Sequence, residues 1–219
     1  MKHTIKEQNE SKTYEVGKMV CVGRNYAAHA AELGNEVPEF PLIFIKPASA
    51  MIPNGSKMRK PDWSDEMHHE VELVLVIGKT IKDADEKQAE EAIVGYTVGL
   101  DMTLRDWQMK LKEKGEPWTL AKCFDDSAMV ADYISKVKHK LTLKEKITLE
   151  VNGARRQDAE LDLMLYKPVQ IVSFLSKRMT LEEGDLVFTG TPAGVGKVVP
   201  GDVITGAIEG IASLRAEVI

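Results

Sequence analysis

The chain of 219 residues is 43% hydrophobic and 29% charged, a composition that excludes collagen-like, mucin-like and wholly disordered proteins. Its net charge of −5, from 29 basic and 34 acidic residues, provides no basic surface for nucleic acid or for an acidic membrane. Two cysteines are too few for a disulfide scaffold. The polar start has no signal-peptide pattern, and the longest apolar run, residues 73–77, is far shorter than the roughly 20 residues that span a bilayer. We therefore expect a soluble, cytoplasmic protein with a polar, partly disordered tail over residues 1–15 and a single domain over residues 16–219.

The predicted elements are many short strands and a few helices. Apolar runs and alternating patterns predict the strands, and alanines, capping residues and terminal glycines predict the helices. Strands are predicted over 18–23, 42–45, 69–77, 94–100, 185–189, 200–205 and 214–219, and around an Asn152-Gly153 hairpin turn within 146–156. Helices are predicted over 25–33, 85–93, 103–114 and 168–178. This content favours an α+β, mainly β fold with a rolled or barrel-like sheet.

Two glutamates at the start of an apolar strand point to a metal site. Glu70 and Glu72 are two residues apart, so on a strand they share one face, roughly 6.5–7 Å apart. Asp101 follows the next apolar strand. Buried carboxylates repel one another, and an all-oxygen set suits a hard cation such as Mg²⁺, Mn²⁺ or Ca²⁺ rather than zinc. The alternatives left open are a solvated edge strand for the two glutamates and a helix cap for Asp101.

A second group of polar residues lies in short helical segments. His29 and Glu32 are three residues apart, so on a helix they share a face, where the carboxylate can orient the imidazole and raise its basicity. Gly23 and Gly34 bracket this segment as the hinges of a lid would. A surface His–Glu pair on a small helix is the alternative.

Three further features could contact a substrate. Arg105 and Gln108 share a helix face and can bind oxygens, unless Arg105 forms a local salt bridge with Asp106. Lys122 lies between apolar neighbours, where it can stabilise an enolate or simply extend to solvent. The turn at residues 190–192 can present backbone amides to an anion, or only end a strand.

Taken in order, these residues resemble the fumarylacetoacetate hydrolase family, and in particular its short acylpyruvase and oxaloacetate decarboxylase branch. Each motif is weak alone, but the ordered set is specific and covers residues 16–219. The set is Gly23-Arg24-Asn25-Tyr26 with His29 and Glu32, then Glu70-x-Glu72, Asp101, Arg105-Asp106-x-Gln108, Lys122 and Thr189-Gly-Thr-Pro192.

The resemblance implies a fumarylacetoacetate hydrolase-like β-roll or barrel with surrounding helices, assembled as a homodimer. It implies an Mg²⁺ or Mn²⁺ ion held by Glu70, Glu72 and Asp101. The catalytic residues implied are His29, Glu32 and Lys122, and the substrate-binding residues implied are Arg24, Lys46, Arg105, Gln108 and Thr191.

The function implied is metal-dependent hydrolysis of the carbon–carbon bond of acylpyruvates, which are 2,4-dioxo acids. A water activated by His29 and Glu32 attacks the distal carbonyl, and a pyruvate enolate stabilised by the ion and Lys122 leaves. The same scaffold could act as an oxaloacetate decarboxylase or tautomerase, or as a 2-hydroxyhepta-2,4-diene-1,7-dioate isomerase of aromatic catabolism. His29 and Glu32 favour hydrolysis, because the other reactions need no activated water. A non-catalytic, metal-stabilised binding protein is the remaining alternative.

Overall fold

The protein is built mainly from β-strands, as seen in a computed structural model that describes residues 3–219. Its strands are β1 (Thr4–Lys6), β2 (Thr13–Glu15), β3 (Lys18–Gly23), β4 (Leu42–Pro47), β5 (Met51–Pro53), β6 (Lys57–Met58), β7 (Met67–His69), β8 (Val71–Ile77), β9 (Ile93–Asp101), β10 (Thr103–Leu104), β11 (Ala128–Val130), β12 (Ile134–Ser135), β13 (Lys146–Val151), β14 (Ala154–Glu160), β15 (Leu186–Phe188), β16 (Gly196–Lys197), β17 (Val203–Ile208) and β18 (Ala212–Val218). Its α-helices are α1 (Ala27–Glu32), α2 (Glu86–Ala92), α3 (Arg105–Lys114), α4 (Thr119–Lys122) and α5 (Pro168–Ser176). The predicted mainly β, α+β fold is confirmed.

The largest sheet has the strand order β4-β3-β15-β8-β9-β11-β5, with β12 paired to β9. Every residue of β8, at its centre, is buried, which explains the nearly continuous apolar run of that strand. Alternate side chains of β8 face two different cores. Leu73 and Leu75 belong to the larger core, and Val74 and Val76 belong to the smaller one.

The larger core lies where the central sheet meets a second sheet of order β14-β13-β17-β18-β6. Leu149 of β13 and Ile204 of β17 pack in it together with Leu175 of α5. The Asn152-Gly153 turn between β13 and β14 is confirmed, with φ angles of 52° and 77° that match the left-handed conformation of such hairpins.

A third sheet, of order β10-β7-β16, adjoins the end of β8. Glu70 is the single residue between β7 and β8, so it lies where two sheets meet. The predicted helix over residues 103–114 begins only at Arg105, because Thr103 and Leu104 pair with His68 and Met67 as β10.

The amino-terminal segment differs from its prediction. Instead of a partly disordered tail, β1 and β2 form an antiparallel pair, while residues 1 and 2 of the predicted tail lie outside the described residues. Ile5 and Tyr14 are buried in the smaller core with Met19 and Phe188. In each of these strands one buried apolar residue lies between two exposed polar ones. One face of this mostly polar segment therefore packs against the sheet. Within residues 3–219, no helix is long and apolar enough to cross a membrane.

Replacing Ile5 by alanine should lower the free energy of unfolding by about 2–5 kcal/mol, because it opens a cavity in the smaller core. Urea denaturation measures the change. Thr4→Ala, on the exposed face of the same strand, is the matched control and should change little. Equal stability of Ile5→Ala and the unmodified protein would mean that this segment does not pack on the sheet.

Candidate functional site

Three carboxylates converge at the end of the β8–β9 pair. Val71 pairs with Leu100, and the Asp101 N–H donates to the Glu70 carbonyl at 2.9 Å, so Glu70 and Asp101 lie opposite each other. Glu72 is two residues further along β8. Carboxylate oxygens of the three residues lie within 4.8 Å of one another, and all three side chains are buried. The structure therefore excludes a solvated edge strand as the explanation for the glutamate pair.

Three side-chain cations surround these carboxylates. Lys122 Nζ lies 2.8 Å from Glu70 Oε2 and 2.6 Å from Asp101 Oδ2. Arg105 Nη2 donates to the other oxygen of Glu70 at 2.5 Å. Lys46 Nζ lies 2.9 Å from Asp101 Oδ1. Lys122 is thus directed into the cluster rather than towards solvent, and the three positive charges balance the three negative ones.

The pKa values of the two glutamates move in opposite directions. Burial opposes ionisation of Glu70, but Lys122 and Arg105 outweigh it and hold the pKa of Glu70 well below its usual range. Burial, together with the negative charges of Asp101 and Glu70, raises the pKa of Glu72 well above its usual range. The Gly190 N–H, which donates to Glu72 Oε2 at 2.7 Å, compensates only in part. Glu72 therefore lies on the side of the cluster that is short of positive charge.

The chemistry of this cluster fits a hard divalent cation. Its ligand atoms are all carboxylate oxygens, which Mg²⁺, Mn²⁺ and Ca²⁺ prefer. Among the described residues, Asp101 Oδ1 has no hydrogen-bond partner despite its burial, and the nearby Lys46 is not aligned to donate to it. Such an orphaned oxygen is available to a cation. A divalent ion would also relieve the repulsion that raises the pKa of Glu72.

The carboxylates form the floor of a cavity of about 330 Å³. The sequence-predicted site residues on its wall are Arg24, His29, Glu70, Glu72, Asp101, Arg105, Gln108, Lys122 and Thr191. Two predicted residues, Lys46 and Glu32, do not line the cavity. Lys46 is completely buried and donates to the Met102 and Ser127 carbonyls at 3.1 and 3.0 Å and to the Lys122 carbonyl, so it contacts the cavity wall from behind, through Asp101 and Lys122.

Glu32, the other residue outside the lining, connects the segment between Gly23 and Gly34, here called the lid segment, to the loop that follows β15. Its Oε2 atom lies 3.2 Å from His29 Nδ1, and its Oε1 atom accepts from the Gly194 N–H at 3.0 Å. His29 is buried whereas Glu32 is exposed, so the pair joins a buried imidazole to a carboxylate at the protein surface. Since Nδ1 is held by Glu32, the other ring nitrogen, Nε2, is the one available to the cavity.

Arg105 and Gln108 act together, as predicted from their spacing on α3. Arg105 Nη1 donates to Gln108 Oε1 at 2.5 Å, whereas Asp106 accepts from the Ser64 hydroxyl at 2.7 Å. The local Arg105–Asp106 salt bridge considered from the sequence is therefore absent among the described contacts.

The turn at residues 190–192 is shaped by its glycine. Gly190 has a φ of 99°, and a Cβ atom there would lie only 2.7 Å from the Cβ of Asn25. The Asn25 side-chain amide donates to the Thr189 and Tyr166 carbonyls at 2.8 and 2.9 Å. These bonds hold the start of the lid segment against this turn. In this conformation the Gly190 N–H reaches Glu72 and Thr191 lies on the cavity wall.

Sequence reasoning missed the outer part of the cavity. Its apolar wall consists of Leu33, Phe44, Met109 and Trp118. At its rim, Lys112 Nζ donates to Asn35 Oδ1 at 2.5 Å and joins α3 to the lid segment. The position of Lys112, four residues after Gln108, was a usable signal, because both lie on one helix face.

Comparisons with known proteins point to one family. A sequence profile of the family described as "Fumarylacetoacetate (FAA) hydrolase C-terminal" matches residues 18–219. Bovine oxaloacetate tautomerase FAHD1, mitochondrial, is 44% identical over 209 residues, which is 95% of each chain. Oxaloacetate tautomerase YcgM of Escherichia coli K12 is 42% identical over 198 residues, or 90% of each chain.

Among solved structures, fumarylpyruvate hydrolase from Pseudomonas aeruginosa, in complex with Mn²⁺ and pyruvate, superimposes with a TM-score of 0.96. It is 40% identical, and the match covers 100% of this chain and 96% of that one. The fold and the buried acidic site thus define a member of a known enzyme class. The chain belongs to the fumarylacetoacetate hydrolase family, as the sequence resemblance predicted.

We expect the protein to bind Mn²⁺ at one high-affinity site. Asp101→Asn should weaken this binding by at least about 10–100-fold, because replacing even the hydrogen-bond partner of a metal ligand has an effect of that size. Isothermal titration calorimetry measures the affinity. Glu217→Gln, which removes a half-exposed carboxylate that does not line the cavity, is the control. Unchanged Mn²⁺ affinity in Asp101→Asn would contradict the metal site.

Proposed function

We propose that the protein is a divalent-metal-dependent enzyme that interconverts the keto and enol forms of oxaloacetate and can decarboxylate the same substrate. The observation that carries this proposal is the cavity floor, where buried carboxylates and cations converge on one small space. The names of the bovine and Escherichia coli relatives, both oxaloacetate tautomerases, support this reaction over the hydrolysis favoured from the sequence alone.

The charge of the floor suits a dianionic 2-oxo acid. The carboxylates of Glu70, Glu72 and Asp101 are balanced by Lys122, Arg105 and Lys46. A divalent ion therefore leaves the site with an excess of two positive charges, which a substrate with two carboxylates neutralises. Burial strengthens this attraction, since the effective dielectric constant inside a protein is lower than that of water.

The protein side chains perform the remaining chemistry. When bound, the cation supplies Lewis acidity that polarises the 2-oxo oxygen and so acidifies the protons on the adjacent carbon. His29 Nε2 removes one of those protons and returns it to the enolate oxygen, which gives the enol, while Glu32 holds Nδ1 and stabilises the intervening imidazolium. The Lys122 pKa is raised by Asp101 and Glu70 in spite of burial, so Lys122 stays charged beside the developing enolate.

Acylpyruvate hydrolysis is the second candidate function, and two observations favour it. The His29–Glu32 pair, at 3.2 Å, can activate a water molecule as well as remove a carbon-bound proton. The apolar wall around Phe44 and Trp118 offers room for an acyl chain longer than oxaloacetate. The Pseudomonas aeruginosa neighbour, a fumarylpyruvate hydrolase, supports this reading.

His29→Ala should lower kcat for enol-to-keto conversion of oxaloacetate by about 10²–10⁴-fold in the presence of Mg²⁺ or Mn²⁺, because the proton-transferring group is lost. The ultraviolet absorbance of the enol measures the reaction. His139→Ala is the matched control, since His139 also pairs with a glutamate, Glu145, but away from the cavity. A His29→Ala enzyme with full activity would assign the proton transfer to another group.

Oxaloacetate should be a better substrate than acetylpyruvate, with a larger kcat/KM for tautomerisation than for carbon–carbon cleavage. Parallel assays of enol absorbance and pyruvate release, with Mn²⁺ or with a chelator, make the comparison. Faster cleavage of acetylpyruvate would establish the second candidate in place of the first. If neither compound reacted, the enzymatic role itself would be contradicted.

A further inference from the structure

Gln157 of β14 is completely buried and uses all of its hydrogen-bonding capacity beside the cavity. Its Oε1 atom accepts from the Val71 N–H at 3.1 Å and contacts His69 Nδ1 at 3.2 Å. Its Nε2 atom donates to Thr191 Oγ1 and to the Pro192 carbonyl, both at 2.8 Å. A backbone N–H only donates and a carbonyl only accepts, so these partners fix which end of the amide is which.

A β-bulge places Gln157 in this position. Leu149 of β13 pairs with Gln157, but the next residue, Glu150, pairs with Arg155, so Arg156 is an extra residue on β14. Gln157 is the one buried residue of this otherwise exposed or half-exposed strand. Bulges re-aim side chains and are common next to active sites. Here the bulge directs an amide into the core at the point where the loop after β15 passes.

The direction of the Gln157–Thr191 bond determines what the Thr191 hydroxyl can do. A hydroxyl has one hydrogen to donate and two lone pairs. One lone pair accepts from Gln157 Nε2, and among residues 3–219 Gln157 is the hydrogen-bond partner of this hydroxyl. The hydroxyl hydrogen is therefore left to a ligand in the cavity, whose wall Thr191 forms.

We propose that Gln157 is a positioning residue that turns the Thr191 hydroxyl into a hydrogen-bond donor for a carboxylate oxygen of the substrate. The inference rests on the 2-oxo acid substrate proposed above. A carboxylate only accepts hydrogen bonds, so it binds well only to a hydroxyl whose hydrogen faces it. Gln157 enforces this orientation because its own N–H occupies the Thr191 lone pair.

The same amide also connects the two halves of the site. Val71, whose N–H it accepts, lies between Glu70 and Glu72, while Thr191 and Pro192 belong to the opposite loop. Gln157 therefore sets the distance between the carboxylates that would hold the cation and the hydroxyl that would hold the substrate.

The test is binding of oxalate, an unreactive dicarboxylate related to 2-oxo acids, to the Mn²⁺-loaded protein, measured by isothermal titration calorimetry. In Gln157→Glu the new carboxylate cannot donate, so the Thr191 hydrogen turns towards it and away from the ligand. We expect oxalate affinity to fall by about 10–100-fold, the effect of losing a hydrogen bond to a charged group. Thr191→Val should cause a similar loss, and Thr191→Ser should retain the affinity.

The double variant separates positioning from simple charge repulsion. If Gln157 acts through Thr191, Gln157→Glu should weaken oxalate binding no further in the Thr191→Val background. An equal loss in both backgrounds would overturn the proposal. Gln170→Glu introduces the same charge at an exposed position on α5 and should leave oxalate affinity unchanged. Should Gln157→Glu not fold, Gln157→Met provides the same comparison, because a thioether cannot donate to Thr191.

Oxalate is not turned over, so this result is independent of the reaction catalysed. Oxalate binding that depends on Gln157 in a protein inactive on oxaloacetate would support the positioning role and reject the proposed reaction. If the protein tautomerises oxaloacetate but Gln157→Glu and Thr191→Val have additive effects on oxalate affinity, only the positioning role is rejected.

Discussion

The antiparallel register of β8 and β9 is the constraint on which the site depends. It places Asp101 opposite Glu70 and leaves Glu72 one pleat further along, so three carboxylates share a buried space in which they repel one another. The compensating charges come from distant segments: Lys46 from β4, Arg105 from the start of α3, and Lys122 from α4. These ion pairs therefore join segments that are distant in the sequence and are brought together by the fold.

The positive charges that compensate the three carboxylates are distributed unevenly, so the two ends of the acidic cluster differ. Glu70 forms ion pairs with two cations, whereas Glu72 forms no ion pair among residues 3–219, accepts from the Gly190 N–H and feels Lys122 at longer range. The loop that provides this N–H also provides Thr191 on the wall and the Gly194 N–H that binds Glu32. One short loop therefore contacts the acidic floor, the lid segment and the space for a ligand.

The sequence was sufficient where local patterns determine structure. A run of apolar residues predicted β8 with its two glutamates, and the Asn152-Gly153 pair predicted a hairpin that the structure contains. Local sequence patterns were insufficient for features that depend on contacts between segments distant in the sequence. Nothing local to Lys46 indicates that it lies behind Asp101, and the role of Gln157 depends on a bulge that shifts the pairing of β14 by one residue. The three-residue strands β1 and β2 are too short for a clear period, so their polar residues suggested a tail.

Side-chain cations already neutralise part of the acidic cluster, and this affects the order of folding and metal binding. In many small metal sites the ligands repel one another until the ion arrives, and the chain cannot fold without it. Here side-chain ammonium and guanidinium groups already occupy that role for Glu70 and Asp101. The chain can thus complete its core before any divalent ion binds, and under the proposed function the ion would bind afterwards as a reversible step. Metal supply would then control how much of the folded protein is active, without controlling how much of it is folded.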